Sequence, residues 1–169
     1  MTHPNQSRQY YLWQRCPEQG WSAAAAEAAL GPPDRRSGGD PALWQYFLDS
    51  QGAIIELQLK DSLVTGWTVD FRTSKWKPSP GLSASRTDID RVQAYLARSP
   101  GVADKEAYLL YHRCPIVGMT REMILASLGL PSRQVESGST THWMYLLGFE
   151  GQSLELTLEA DSIRSLEVP

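Results

Sequence analysis

Residues 10–72 of this chain read a second time in residues 107–169, and a unit written twice confines the fold to shapes that two like halves can build. Aligned without a gap, positions 10–33 and 108–131 share ten identities in twenty-four. They are Tyr10/Tyr108, Leu12/Leu110, Arg15/Arg113, Cys16/Cys114, Pro17/Pro115, Gly20/Gly118, Ala28/Ala126, Leu30/Leu128, Gly31/Gly129 and Pro33/Pro131. After a slip of one residue, Trp44 and Tyr46 match Trp143 and Tyr145, and Gly52, Glu56, Leu57 and Leu59 match Gly151, Glu155, Leu156 and Leu158.

The residue pattern inside each copy predicts the same elements. An apolar stretch at 10–13 or 108–111 reads as a short buried helix that stops at Arg-Cys-Pro, because proline disfavours helical dihedrals in the residue before it. A second helix follows at 23–30 and 121–128. Ser22 and Thr120 are its N-caps, and Met119 is placed to staple onto Ile124. Gly31 and Gly129 suit the left-handed position after the last turn, and the prolines beyond forbid continuation. The first of these helices is nearly all alanine, so Trp21 is expected to fill the volume that Ile124 and Met123 fill in the second copy. Strands are predicted at 44–48, 54–60 and 65–71, with Thr65, Trp67, Val69 and Phe71 in phase, and again at 143–147, 154–159 and a shorter run to Val168. Their period-2 alternation, as in Ile55, Leu57 and Leu59 against Glu56, Gln58 and Lys60, means one buried and one wet face. Positions 49–52 and 148–151 read as hairpin turns.

The fold class expected is therefore α+β: two tandem ααβββ units, helices packed on one face of antiparallel sheets that are free to join into one larger sheet. The first unit occupies 1–72 and the second 107–169. Residues 73–106 form a linker carrying one amphipathic helix at 88–98, capped by Thr87 and striped with Ile89, Val92, Tyr95 and Leu96. A connection of that length with an apolar stripe needs somewhere to bury it.

Composition enters through what it excludes. The formal net charge is −3 and the Lys and Arg residues are scattered, so the basic stripe that nucleic-acid binding requires is missing. No stretch approaches membrane-spanning length, and residues 1–9 carry no apolar run of the kind an export signal needs. A cytoplasmic location is expected on that ground, and with it reduced, inert thiols at Cys16 and Cys114. No metal site is readable, since His3 and His142 lack a thiol or carboxylate at ligand spacing, and no cofactor is called for.

The run Gly118-Met-Thr-Arg-Glu-Met-Ile-Leu-Ala-Ser-Leu-Gly129-Leu-Pro131 resembles the G-M-T-x-x-x-(V/I)-x-x-x-x-G-x-P signature of SmpA/OmlA-type proteins. Two such units in tandem are similar in architecture to the β-lactamase inhibitory proteins. Trp143 and Tyr145 with the strand after the next glycine turn extend the likeness over about 50 residues of the second copy. The first copy follows more loosely, with Gly20-Trp-Ser in place of Gly-Met-Thr. The resemblance implies a non-enzymatic binding protein whose sheets present one concave face to a partner.

Residue chemistry points the same way. No G-x-S-x-G, P-loop, dinucleotide glycine set or HExxH occurs. Glu155 and Glu159 share a strand face but stand about 13 Å apart, too far for a cooperating carboxylate pair. By strand parity Phe47, Met144 and Leu146 are apolar yet face water, near Glu56 and Glu155. Trp76 lies between two lysines in a Pro/Ser loop as a further anchor. These six residues are the candidate protein-binding site. The reading is an intracellular module, an inhibitor or immunity protein, that grips another protein with its sheet face. A scaffolding role in a larger assembly and an enzyme of unrecognised type are the alternatives.

Overall fold

The punctuation around the two cysteines and the two glycines works where the sequence puts it. In a computed structural model, which describes residues 4–72, 76–80, 85–147 and 152–169, the first half runs α1 Pro4–Trp13, α2 Ala23–Leu30, β1 Arg35–Ser37, β2 Ala42–Phe47, β3 Ile54–Lys60 and β4 Leu63–Asp70. A linking helix, α3 Arg86–Ala97, follows. The second half runs α4 Asp104–Tyr111, α5 Arg121–Leu128, β5 Arg133–Ser137, β6 Thr140–Leu146, β7 Ser153–Glu159 and β8 Ser162–Glu167. The predicted turn at 148–151 lies outside the described residues.

Both second helices are held at their ends as their residues require. Ser22 and Thr120 accept hydrogen bonds from the Ala25 and Met123 amides. Gly31 and Gly129 leave the helix at φ 83° and 77°, a region a side chain resists, and their N–H groups donate to the Glu27 and Leu125 carbonyls. The start of each helix is tied to a hairpin tip. Gly20 N–H donates to Val64 O and Val64 N–H returns to Trp21 O, both at 2.7 Å; Gly118, Ile163 and Met119 repeat the exchange at 2.9 Å. Helix and sheet are thus fixed to each other by main-chain bonds before any side chain packs. Trp21 is fully buried, as expected for the side chain that fills out the alanine helix.

The sheets are antiparallel in the orders β1-β2-β3-β4 and β5-β6-β7-β8, and they stay separate rather than joining. Each unit is ααββββ, one strand more than predicted. β1 and β5 are exposed along their whole length, so no alternation of burial marks them in the sequence. A bulge between Gln58 and Leu59, and its counterpart between Thr157 and Leu158, shifts the last strand of each sheet. Val64 is buried in consequence and Thr65 is exposed, the reverse of a strict two-residue phase. The core is one cluster: Tyr46, Ile55, Leu57, Leu59 and Trp67 from the first sheet, Trp143, Tyr145, Leu154, Leu156 and Leu158 from the second, and the helix faces above them. Trp13, expected in the core, is half exposed at 51%.

The linking helix is capped by Ser85 rather than Thr87. Ser85 and Asp88 exchange side-chain-to-backbone bonds in a capping box. Its stripe, Ile89, Val92 and Tyr95, is buried against α5 and α4.

The two units meet at the turns that follow α1 and α4, and the contacts there are reciprocal. The Tyr10 hydroxyl donates to Arg113 O at 2.7 Å while the Tyr108 hydroxyl donates to Arg15 O at 2.8 Å. Tyr11 adds a bond to Pro115 O. His112 Nδ1 lies 3.0 Å from the carbonyl of Gln14, its own counterpart position. Between these bonds Cys16 and Cys114 form a disulfide, with their Cα atoms 6.4 Å apart, inside the range such a bridge spans. This overturns the expectation of reduced thiols. Two cysteines 98 positions apart give no sign in sequence that equivalent residues face one another across a junction. The arrangement has the form of an isologous interface enclosed in one chain. Beyond it, α4 packs on β4 of the first sheet. There Asp104 accepts from the Phe71 amide at 2.9 Å, and Lys105 donates to Trp67 O at 3.0 Å, its ammonium 4.3 Å from the indole.

Candidate protein-binding surface

Strand alternation sends one set of side chains to the helices and the other outward, and the outward set of each sheet forms rows across the strands. On the first sheet Gln45 lies opposite Glu56, and Glu56 opposite Thr68. Gln45 Nε2 donates to Glu56 Oε2 at 2.8 Å, which holds the middle of the row flat. The next row is Phe47, Ile54 and Asp70. Phe47 is 44% exposed, and the Arg35 guanidinium stands 5.3 Å from its ring centroid, a cation–π contact that keeps the ring at the edge of the face.

On the second sheet Arg133, Met144, Glu155 and Glu167 form one row, and Val135, His142, Thr157 and Ser165 the next. His142 Nδ1 and Thr157 Oγ1 are 3.2 Å apart. Leu146, opposite Ser153, is 64% exposed, while Met144 is half-buried between its neighbours. A depression of about 390 Å³ opens over these rows, lined by Val135 and Met144 together with Arg133, Glu155 and Glu167.

The predicted residues are therefore brought together in part. Met144 and Glu155 are cross-strand neighbours, and Leu146 lies on the same face. Glu56 and Phe47 share the outer face of the other sheet. Because the sheets stay separate, Phe47 is not a neighbour of Met144 and Leu146 on one continuous surface, as a joined sheet would have made it. Phe47 instead borders the junction, where it lines a cavity of about 340 Å³ with Tyr46, Arg15, Trp76, Tyr108 and His112.

Trp76 is the largest departure from the expected site. Its ring is half-buried, 5.2 Å from Phe71 and 5.6 Å from Tyr108, and lies parallel to the His112 imidazole at 5.9 Å. It belongs to the junction and does not stand out as an anchor. His112 itself stacks on Tyr108 at 4.1 Å, and burial pushes its pKa down to about 4, so it is neutral near pH 7. Burial likewise pushes Tyr10 up to about 12, against the opposing pull of Arg113. The Asp88 carboxyl is held below the usual carboxylate range, and so charged, by a different balance. Burial alone raises its pKa, but hydrogen bonds from Ser85 and Arg91, with Arg113 nearby, outweigh it.

No protein-family model matches the sequence, and no curated protein matches it. Two solved structures are similar in outline. One is a candidate β-lactamase inhibitor protein from Streptococcus mutans, 16% identical, with 100% of this chain and 98% of that one covered, at a TM-score of 0.29. The other is a DUF4309 family protein from Bacillus subtilis, also 16% identical, covering 98% of this chain and 94% of that one at a TM-score of 0.27. Likenesses this distant leave the site to be judged on its own chemistry.

Among the described residues no three His, Cys, Asp or Glu side chains gather where they could hold a metal ion, and no helix is long and apolar enough to cross a membrane. Val135, 43% exposed, and Leu130, 85% exposed, extend the apolar part of the second unit's surface. Sequence reasoning missed Val135 because β5 itself gave no strand signal. Leu130 was visible as an apolar residue between the helix-ending Gly129 and Pro131, a place where nothing packs over it.

Proposed function

We propose that this chain is a non-enzymatic protein-binding module, inhibitor-like in action, that grips another protein with the outer faces of its two sheets. One observation carries the reading. Both units place a large apolar side chain, Phe47 or Leu146, at the same exposed outer-face position, and each is set among polar and charged neighbours. An apolar centre with a polar rim is the usual anatomy of an interface, and a few central residues supply most of its energy. The likeness of residues 118–131 to the SmpA/OmlA signature supports a binding role over a catalytic one. The Cys16–Cys114 bridge supports an oxidising compartment as the place of action, since the reducing cytoplasm keeps thiols apart.

The test is capture by the immobilised chain, with the captured protein identified by mass spectrometry and its affinity measured by calorimetry. Phe47→Asp with Leu146→Asp should fold normally, because both side chains are exposed, yet weaken binding at least ~100-fold by placing charge in a dry contact. Equal affinity for the folded double variant and the parent defeats the proposal.

A further inference from the structure

The two units match position by position, but their helix layers are not equally covered. In the second unit α3 packs on α5 and α4, and Ala126, Ser127 and Leu128 are buried. Arg91 anchors the contact. Its Nε donates to Ala126 O at 2.8 Å, and its terminal nitrogen reaches Ser127 O at 3.1 Å and Asp88 at 2.6 Å. The guanidinium also comes against Gly129, where an added Cβ would meet it at 3.4 Å. Asp88 in turn sits close enough to Arg113 to feel its charge.

In the first unit the same positions are open. Ala28, the counterpart of Ala126, is exposed, and Ala29 and Leu30, the counterparts of Ser127 and Leu128, are only half-buried. Among the described residues α1 is the one helix packed substantially on α2. Arg15, the counterpart of Arg113, is exposed and makes no ion pair among the described residues. Arg15, Leu30 and Tyr46 line the 340 Å³ cavity at the junction. In the second unit the end of α5 next to Leu128 is where Arg91 docks, on the carbonyls of Ala126 and Ser127 and against Gly129. Part of the cavity's lining therefore corresponds to positions near which α3 packs in the second unit, and linker residues Trp76, Lys77, Pro78 and Ser79 line it as well.

We propose that this face of the first unit, from α2 to Arg15, is a docking site for an amphipathic helix of another protein, presenting an apolar stripe and an Asp-x-x-Arg pair as α3 does. The arginine donates to the carbonyls of Ala28 and Ala29 at the negative end of α2, as Arg91 does to those of Ala126 and Ser127. The aspartate meets Arg15, and the stripe covers Ala28 and Leu30. Phe47 also lines this cavity, so the two readings meet there, but Ala28 and Arg15 lie off the sheet faces, and Ala28→Arg tests the helix site apart from the sheet-face binding that Phe47→Asp with Leu146→Asp tests.

The probe is a synthetic peptide with the sequence of residues 85–98, added to the full, disulfide-bonded chain and followed by NMR. Binding should shift the amides of residues 22–31 and of Arg15. It should weaken at least ~10-fold when the peptide carries Arg91→Ala, or when the protein carries Ala28→Arg, a change at an exposed position that leaves melting unaltered. No binding at millimolar peptide overturns the proposal. So do shifts confined to residues 121–128, which would mean the peptide merely displaces α3. Self-association of the peptide-free chain in ultracentrifugation, abolished by Ala28→Arg, would also overturn it by assigning the seat to a second copy of this chain.

Discussion

Replacing Cys16 and Cys114 together by serine removes the disulfide cross-link between the units, and the structure lets the loss be sized. The bridge closes a loop across 98 positions. In the chain-entropy account, cross-linking a loop of about 100 residues stabilises the folded state by about 4.7 kcal/mol, with measured values commonly between 2 and 4. For a chain of this length each kcal/mol moves the melting temperature by roughly 2–4 °C, so the double variant should melt about 10 °C below the parent. It should still fold. The Tyr10–Arg113, Tyr108–Arg15 and His112–Gln14 hydrogen bonds and the packing of α4 on β4 do not depend on the bridge. Calorimetry of parent and variant, with and without a reductant, reads the difference. Reductant should lower the parent's transition toward the variant's and leave the variant alone. Two titratable thiols in the denatured, unreduced parent would refute the reasoning, and so would a melting difference under about 3 °C.

Ile124→Ala should destabilise the chain by about 2–4 kcal/mol, because this side chain is wholly buried beneath the helix layer and the cavity left behind cannot collapse; chemical denaturation measures it. His112 makes stability depend on pH. Its folded pKa of about 4 lies below the unfolded 6.5, so the unfolded chain binds more protons in between. The contribution is complete above pH 6.5 and drains away as pH falls toward 4, by up to about 3 kcal/mol. His112→Gln, which puts the Gln14 residue type at its counterpart position, should flatten that part of the stability profile; a profile as steep as the parent's would show another group responsible.

What could be read beforehand was whatever had a local cause. The ends of α2 and α5 were legible because serine, threonine, glycine and proline act within a few residues of where they stand, and the central strands because alternation is a property of six or seven neighbours. β1 and β5 were not legible, being short, exposed edge strands paired on one side with β2 or β6. The bulges were hidden for a related reason. One extra residue changes the phase only once the partner strand is in place, so Thr65 and Val64 exchanged roles. The disulfide and the stacking of Trp76 on His112 depend on how two units face each other, which no window of sequence contains. The same blindness affected the candidate site. Parity correctly turned Phe47, Met144 and Leu146 outward, but placing them at one centre required the sheets to join, and they do not.

The departures from likeness between the units carry more functional information than the likeness itself. Matching pairs such as Tyr10/Tyr108 and Arg15/Arg113 are used by the junction, where each makes a bond that its counterpart returns. Where the copies differ, one has taken on a task the other has not. In α5 Met123, Ala126, Ser127 and Leu128 are all buried, whereas in α2 their counterparts Ala25, Ala29 and Leu30 are half-buried and Ala28 is exposed. A thin helix with an open face tolerates exposure at little cost, because methyl groups expose little apolar area. It is therefore the copy that can stand uncovered until a partner arrives, while the second copy, with more to hide, keeps its cover within the chain.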